Sequence, residues 1–347
     1  MNLQQYGLQN FFEQQIDESN KYILGRVTLE HKHSYRIITE QNEWLGTISG
    51  KMAFESIARK DYPAVGDWVL VEQMPGEEKC LIHKILERKS VFSRKMAGLE
   101  LDEQIVAVNV DIIMIVTSLN DDFNERRLER YLTAAWNSGA TPIIVLTKAD
   151  LCENVDEYVE KVQNVAFGVD VYPVSTFTGD GLSTVKELFK PNKTIALMGS
   201  SGVGKSTLTN ALIEEEKMLV HTIREDDAKG RHTTTHRELF ALEDGGVIID
   251  TPGMRELQLW STDSALDTSF SDIQALLLQC KFRNCSHKKE PGCAVQNAIA
   301  SGDLEQQRYD SYIKLQREIA YLNRKADLQA TLLENRKNKK MSKQSRR

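Results

Sequence analysis

Residues 193–216 read KTIALMGSSGVGKSTLTNALIEEE, and this stretch decides the fold. A short apolar run, Ile195 to Met198, leads into a glycine-rich loop, and a helix-forming segment leads out of it. The loop has the spacing Gly199-x4-Gly204-Lys205-Ser206, followed by Thr207. Its glycines let successive backbone N–H groups curl around a phosphate at a helix N-terminus. In such a loop Lys205 reaches the β- and γ-phosphates of a nucleotide, and the Ser206 hydroxyl binds Mg2+. The expected nucleotide contacts are Gly199, Ser200, Ser201, Gly202, Val203, Gly204, Lys205, Ser206 and Thr207, with Lys205 also catalytic. The loop alone does not choose between adenine and guanine.

The flanking sequence repeats the strand-then-loop pattern. VDIIMIVTSL (110–119) and TPIIVLTKAD (141–150) are continuous apolar runs, as buried parallel strands show. Between them NERRLERYLTAAWNSG (124–139) reads as an amphipathic helix with Leu128, Leu132 and Ala135 on one side. VDVYPVST (169–176) and GGVIIDTPG (245–253) add two more strand ends. The expectation is a doubly wound α/β domain with its functional loops at the strand C-termini.

Those strand ends carry the chemistry. Thr147-Lys148-Ala149-Asp150 closes one run. An aspartate there accepts from both the ring N–H and the exocyclic amino group of guanine, a pairing adenine cannot make, while the lysine stem lies along the base. Ser175 and Thr176 end the next strand, where a backbone loop against guanine belongs. Asp250 would hold the Mg2+ shell through water, and the Gly253 N–H would meet the γ-phosphate. Between the phosphate loop and Asp250, the run Gly230-Arg231-His232-Thr233-Thr234-Thr235 has the composition of a γ-phosphate-sensing switch. Thr234 is favoured over Thr233 as its Mg2+ ligand. The order is informative. The guanine-reading segments precede the phosphate loop, so the chain reads as circularly permuted, a rewiring that loop termini tolerate. The switch after Asp250 then runs straight into the C-terminal region.

With 347 residues, 41% hydrophobic and 27% charged, the chain has the composition of a globular protein of two or three domains. Its longest aliphatic run, Ile112 to Val116, falls far short of the ~20 residues of a bilayer span. MNLQQYGLQNFFEQQ has neither the basic start nor the apolar stretch of a secretory signal. A cytoplasmic protein without a membrane partner is expected. The net charge of −6 hides an uneven distribution: residues 281–347 carry +9 and residues 1–280 carry −15. Arg336 to Arg347 holds seven basic side chains and no acidic one, either a solvated tail or a contact for polyanions.

Upstream, YILGRVTLE, SYRIITE, WLGTISG, DWVLVEQ and LIHKILERK are short alternating runs broken by turn residues. Five such strands suit a small closed barrel of the OB type, or a β-domain that merely packs on its neighbour. The residues before Tyr22 read as a short helix or loose arm. Downstream, Cys280-x4-Cys285-x-His287-x5-Cys293 offers three thiolates and one imidazole, a complete tetrahedral set for one structural Zn2+. Lys281, Arg283, Lys288 and Lys289 interleave with Phe282 and the ligands, which suits phosphate-backbone contact or a solvated basic face. Cys80 and Cys152 read as buried hydrophobes. Leu304 to Glu334 reads as helix with Tyr312, Leu315, Ile319 and Leu322 on one face. The expected units are an arm (1–20), an OB-fold β-barrel (21–97), a circularly permuted α/β P-loop GTPase domain (98–260), an α-helical zinc-binding domain (261–335) and a basic tail (336–347).

Taken with AVGDWV (64–69), these motifs resemble the RsgA family of small-subunit-dependent, circularly permuted GTPases. The resemblance covers residues 20 to about 325. It implies a Mg2+-dependent GTP hydrolase, slow by itself, that acts in late maturation of the small ribosomal subunit. The implied partners are that particle, its rRNA, and GTP or GDP, with hydrolysis stimulated by the particle and coupled to release; a monomer is expected. Met254 stands where an ordinary GTPase would place a water-orienting glutamine, and the resemblance supports His232 for that role, against an exposed switch histidine with none. Thr147 departs from the usual asparagine, whose side chain braces the phosphate loop, so lower nucleotide affinity is expected. Two other readings stay open: a nucleotide-gated RNA-binding factor with incidental hydrolysis, and an ATP-dependent nucleic-acid enzyme, against which Asp150 argues.

Overall fold

After a short arm containing α1 (Asn10–Glu13), five strands close into a barrel: β1 (Ile23–His31), β2 (Ser34–Thr39), β3 (Glu43–Ile48), β4 (Trp68–Gln73) and β5 (Lys79–Ile85). The computed structural model describes residues 1–17, 21–31, 34–95, 103–120, 122–214, 237–250, 263–288 and 290–321, with 323, 324 and 331. The barrel order is β1-β2-β3-β5-β4 and back to β1, antiparallel except for β3 with β5. A short helix, α2 (Gly50–Glu55), follows β3 and is capped by the Ser49 hydroxyl, which accepts from the Met52 N–H. This is the OB-type barrel expected from the alternating runs.

Side chains alternate through the wall as a barrel requires. Val27, Ile37, Val69, Val71 and Ile82 fill the interior with Trp44 and Cys80. Ile38, Trp68 and Leu70 lie on the opposite face yet are also buried, because Leu3 and Phe12 of the arm cover them. The Phe12 ring lies 5.7 Å from that of Trp68. The arm thus explains why β4 reads WVLV without a polar face.

A ribbon of β6 (Val91–Lys95) and β7 (Glu103–Val108) follows the barrel. The second domain then runs β8 (Ile112–Ser118), α3 (Glu125–Asn137), β9 (Thr141–Thr147), α4 (Val155–Gln163), β10 (Val171–Pro173), α5 (Leu182–Glu187), β11 (Thr194–Met198), α6 (Lys205–Ile213), β12 (Glu238–Ala241) and β13 (Val247–Asp250). Its sheet order is β10-β9-β8-β11-β13-β12, parallel apart from β12. Alternate residues of the apolar strands face two cores. Ile113, Ile115, Ile144 and Ala196 join the layer with α3, while Met114, Val116, Ile143 and Leu197 join the layer with α5 and α6. The expected doubly wound domain is present.

Barrel and sheet are continuous, since Leu29 of β1 pairs with Glu238 of β12. AVGDWV is the joint between them. Gly66 has φ +98°, and a Cβ there would stand 2.3 Å from the Val108 carbonyl oxygen, so only glycine fits. The Asp67 carboxylate accepts from Arg88 at 2.7 and 2.8 Å and from the Ala64 N–H at 2.8 Å. Arg26 is fully buried beside it and donates to the Tyr6 carbonyl, to Thr194 Oγ1 at 2.9 Å and to the Gly66 carbonyl at 3.4 Å. Burial lowers its pKa to about 10, against the opposing charges of Asp111 and Asp67, so it remains a cation at neutral pH.

The C-terminal region is helical: α7 (Asp263–Ser269), α8 (Ser271–Leu278), α9 (Ala294–Ser301) and α10 (residues 306–321). Tyr312, Leu315 and Ile319 of α10 pack into the same core as Leu128, Leu132 and Ala135 of α3; Leu322 lies outside the described residues. A polar cluster is buried in that contact. Glu129 of α3 is 1% exposed and accepts from Arg308 at 2.9 Å, Arg126 at 2.7 Å and Ser311 at 2.7 Å. Arg308 also donates twice to Asp272, at 2.7 and 2.8 Å. Among the described residues no helix is long and apolar enough to cross a membrane.

Substituting Arg308→Ala removes the buried one of the two cations on Glu129 and the partner of Asp272, and is expected to cost about 3 kcal/mol in denaturant unfolding. A loss below about 1 kcal/mol would show that Arg126 and Ser311 alone satisfy Glu129.

Candidate functional site

The parallel strands β8, β9, β10, β11 and β13 end at one edge of the sheet, where ligands of doubly wound domains bind. At the end of β11, Gly199 passes so close to β8 that a Cβ would stand 2.3 Å from the Val116 carbonyl oxygen. Gly202 and Gly204 take left-handed φ values of +83° and +93°, and α6 starts directly after Gly204. Ser206 and Thr207 therefore sit in the first turn of α6 with the loop folded over its N-terminus. Lys205 Nζ donates to the carbonyls of Gly199 at 2.8 Å and Ser200 at 2.6 Å.

Thr147 behaves differently from the sequence expectation of a weakened brace. Its buried Oγ1 donates to the Val203 carbonyl at 2.6 Å, with the Thr117 carbonyl a second neighbour at 3.3 Å. The phosphate loop lies close enough over the end of β9 for a hydroxyl to bridge the gap. At the other end of the loop, Ser200 Oγ donates to Asp122 Oδ2 at 3.0 Å, a partner that no motif signalled.

Lys148 takes a left-handed φ of +61°, and the Ala149 N–H donates to the Val174 carbonyl at 3.1 Å. That bond sets the loops after β9 and β10 side by side, so exposed Asp150 and the Ser175–Thr176 segment share one end of the site. Ser175 is 1% exposed, and its Oγ accepts from the N–H groups of Phe177 at 3.2 Å and Thr178 at 3.1 Å, which tightens the turn. Asp250, buried at the end of β13, lies beside β11 on the opposite flank. His232, Thr233, Thr234 and Gly253 lie outside the described residues.

Away from this edge, the ligand atoms of Cys280, Cys285, His287 and Cys293 lie within 4.8 Å of one another. His287 Nδ1 stands 3.5 Å from Cys280 Sγ and 3.6 Å from Cys293 Sγ. A tetrahedral ion with bonds of about 2.3 Å to sulfur and 2.0 Å to nitrogen places neighbouring ligand atoms roughly 3.5 Å apart, so the set fits such an ion. His287 takes a φ of +58°, and Gln296 fastens the loop by donating its side chain to the His287 carbonyl at 2.9 Å. Desolvation acts to raise the Cys280 pKa, yet the Ala294 and Val295 N–H groups at the start of α9 help bring it below the ordinary thiol value. Lys281 lies 5.6 Å over the Phe282 ring, giving the cluster a basic and aromatic rim.

A phosphate loop at the switch point of a doubly wound sheet, with the Thr147–Asp150 and Ser175–Thr176 strand ends encoded before it rather than after, defines a circularly permuted P-loop GTPase. The RsgA GTPase family model matches residues 85–260. A model of the 50S ribosome-binding GTPases matches residues 194–339, starting at the first residue of β11. The chain is 46% identical over 349 residues to the small ribosomal subunit biogenesis GTPase RsgA 1 of Oceanobacillus iheyensis, covering 100% of this chain and 99% of that protein. It is 48% identical over 326 residues to RsgA 2 of Listeria monocytogenes, covering 94% and 91%. Among solved structures it resembles YjeQ from Thermotoga maritima, with a TM-score of 0.62, 25% identity, and 86% and 98% of the two chains covered. YloQ, a circularly permuted GTPase, matches with a TM-score of 0.62 and 27% identity over 88% and 97%. The chain belongs to the RsgA GTPase family.

Thr147→Val keeps the shape and removes the brace, leaving the Val203 carbonyl without its hydroxyl donor. Fluorescent GTP binding is expected to weaken by roughly tenfold. Unchanged affinity would assign the order of the loop to Ser200 and the glycines.

Proposed function

We propose that this chain hydrolyses GTP on the small ribosomal subunit during its late maturation, that the particle stimulates hydrolysis, and that hydrolysis is coupled to release. The observation that carries the reading is the Thr147–Val203 hydrogen bond, which ties a guanine-reading loop to a phosphate loop in one site. The names of the relatives supply the particle: they are small ribosomal subunit biogenesis GTPases.

In this reading Asp150 selects guanine by accepting from both of its N–H positions, the Lys148 stem and Ala149 line the base, and the Ser175–Thr176 backbone closes over its edge. Lys205 leaves the Gly199 and Ser200 carbonyls for the β- and γ-phosphates, which the loop amides from Ser200 to Thr207 surround. Ser206 and Thr234 would hold Mg2+, with Asp250 in support; Ser206 and Asp250 lie at the same sheet edge. When bound, Mg2+ neutralises charge developing on the β- and γ-phosphate oxygens. The Gly253 N–H meets the γ-phosphate, and His232 orients the attacking water. Because both belong to switch segments, turnover is slow until the particle orders them. The Cys280, Cys285, His287 and Cys293 set takes one structural Zn2+, since all four ligands come from the chain and no position stays open. The barrel, the basic rim at Lys281 and Arg283, and the tail from Arg336 meet rRNA phosphates. The protein works as a cytoplasmic monomer.

The test is GTP turnover by the full chain with small subunits, with ATP and large subunits as controls. Stimulation by the small subunit alone is expected. His232→Ala should abolish that stimulation while nucleotide binding stays within about twofold. Tight GTP binding without stimulation would instead favour an RNA-binding switch with incidental hydrolysis. Metal analysis should find one zinc per chain, lost together with thermal stability in Cys285→Ser.

A further inference from the structure

The phosphate loop is held at both ends, and only one end is explained by the nucleotide motifs. Thr147 fixes Val203 near its exit. At its entrance Ser200 carries two bonds: its carbonyl accepts Lys205 Nζ at 2.6 Å, and its hydroxyl donates to Asp122 Oδ2 at 3.0 Å. Asp122 lies in the loop between β8 and α3 and is itself gripped by Arg127. The guanidinium reaches Oδ2 at 2.9 Å, Oδ1 at 3.2 Å and the Asp122 carbonyl. Arg127 stands in the first turn of α3, where its own N–H is capped by Asn124 Oδ1 at 2.8 Å, so the guanidinium projects from a fixed base.

A carboxylate beside a polyphosphate site repels its ligand unless its charge is cancelled. Stability does not account for the pair, because the side chains are 29% and 47% exposed and such ion pairs contribute little to folding. We propose that Asp122 and Arg127 are positioning residues for the phosphate loop: the carboxylate anchors Ser200, and through it the carbonyl that parks Lys205, while the guanidinium holds the carboxylate and neutralises it. The proposal rests on the reading of this loop as a GTP site.

The pair makes opposite predictions for its two halves. Arg127→Gln exposes a negative charge to the phosphates. GTP affinity is expected to fall about five- to tenfold at low salt, GDP affinity less, and the deficit should shrink in about 0.5 M salt as the charge is screened. Asp122→Ala leaves a free cation and an unanchored loop, so GTP binding should hold or tighten while basal kcat falls several-fold. Ser200→Ala should lower kcat in the same way without changing the salt dependence, and Ser200→Thr should restore it. Thermal midpoints should stay within about 2 °C of the parent. Equal weakening by Arg127→Gln and Asp122→Ala at every salt concentration, or no change in either, would overturn the proposal. A parent chain that fails to bind GTP would instead overturn the reading of the site on which it rests.

Discussion

The parallel pairing of β8 with β11, from Ile112 against Ile195 to Ile115 against Met198, is the constraint on which the site depends. In a permuted chain β9 and β10, whose ends carry Thr147–Asp150 and Ser175–Thr176, and β11, which leads into the glycine-rich loop, belong to separate stretches of sequence. β8 joins them: it pairs with β9 on one side and with β11 on the other. The close pass of Gly199 over the Val116 carbonyl follows from that pairing. So does the reach of Thr147 from β9, which pairs with the other edge of β8, to the loop leaving β11. Mispairing by one residue would turn the apolar faces of the strands inside out and separate both contacts.

What the sequence revealed was local chemistry with fixed spacing. The phosphate loop, TKAD and the Cys3His cluster each place several special residues within a few positions, and glycine or ligand geometry leaves few alternatives. The apolar runs of the sheet and the five barrel strands were legible for the same reason, since period and burial agree along each segment. Long-range pairing was not legible. Glu129 looks like one more charge on an amphipathic helix, and nothing within α3 shows that Arg308, far along the chain, will bury it. The apolar residues of the arm, Leu3 and Phe12, acquire meaning only against Trp68 and Leu70. Thr147 shows a third kind of difference. Residue type alone implied a weaker brace, whereas the distance between β9 and the loop decides whether a hydroxyl can reach.

Two buried arginines define the joints of the molecule, and they do so by different means. Arg308 meets two carboxylates, Glu129 and Asp272, and so resembles an internal salt-bridge cluster. Arg26 meets neutral oxygens of the arm, the AVGDWV turn and β11, with the face of Trp68 5.2 Å away. A buried guanidinium tolerates few arrangements of its neighbours, because each unpaired donor is costly. Each arginine therefore restricts how the flanking units sit against the nucleotide-binding sheet.

The position of Arg26 also bears on whether the protein can be divided. A barrel cut away after β6 would keep the arginine and lose Thr194, together with the Asp111 charge that helps hold it. The guanidinium would then face water where it now meets β11, and the joint would lose the contact that fixes it. The barrel is a recognisable module by shape, but its electrostatics belong to the whole chain. A fragment with its boundaries drawn from strand topology would be a poorer protein than its compact outline suggests, and nicking the chain between the two domains would not free two independent bodies.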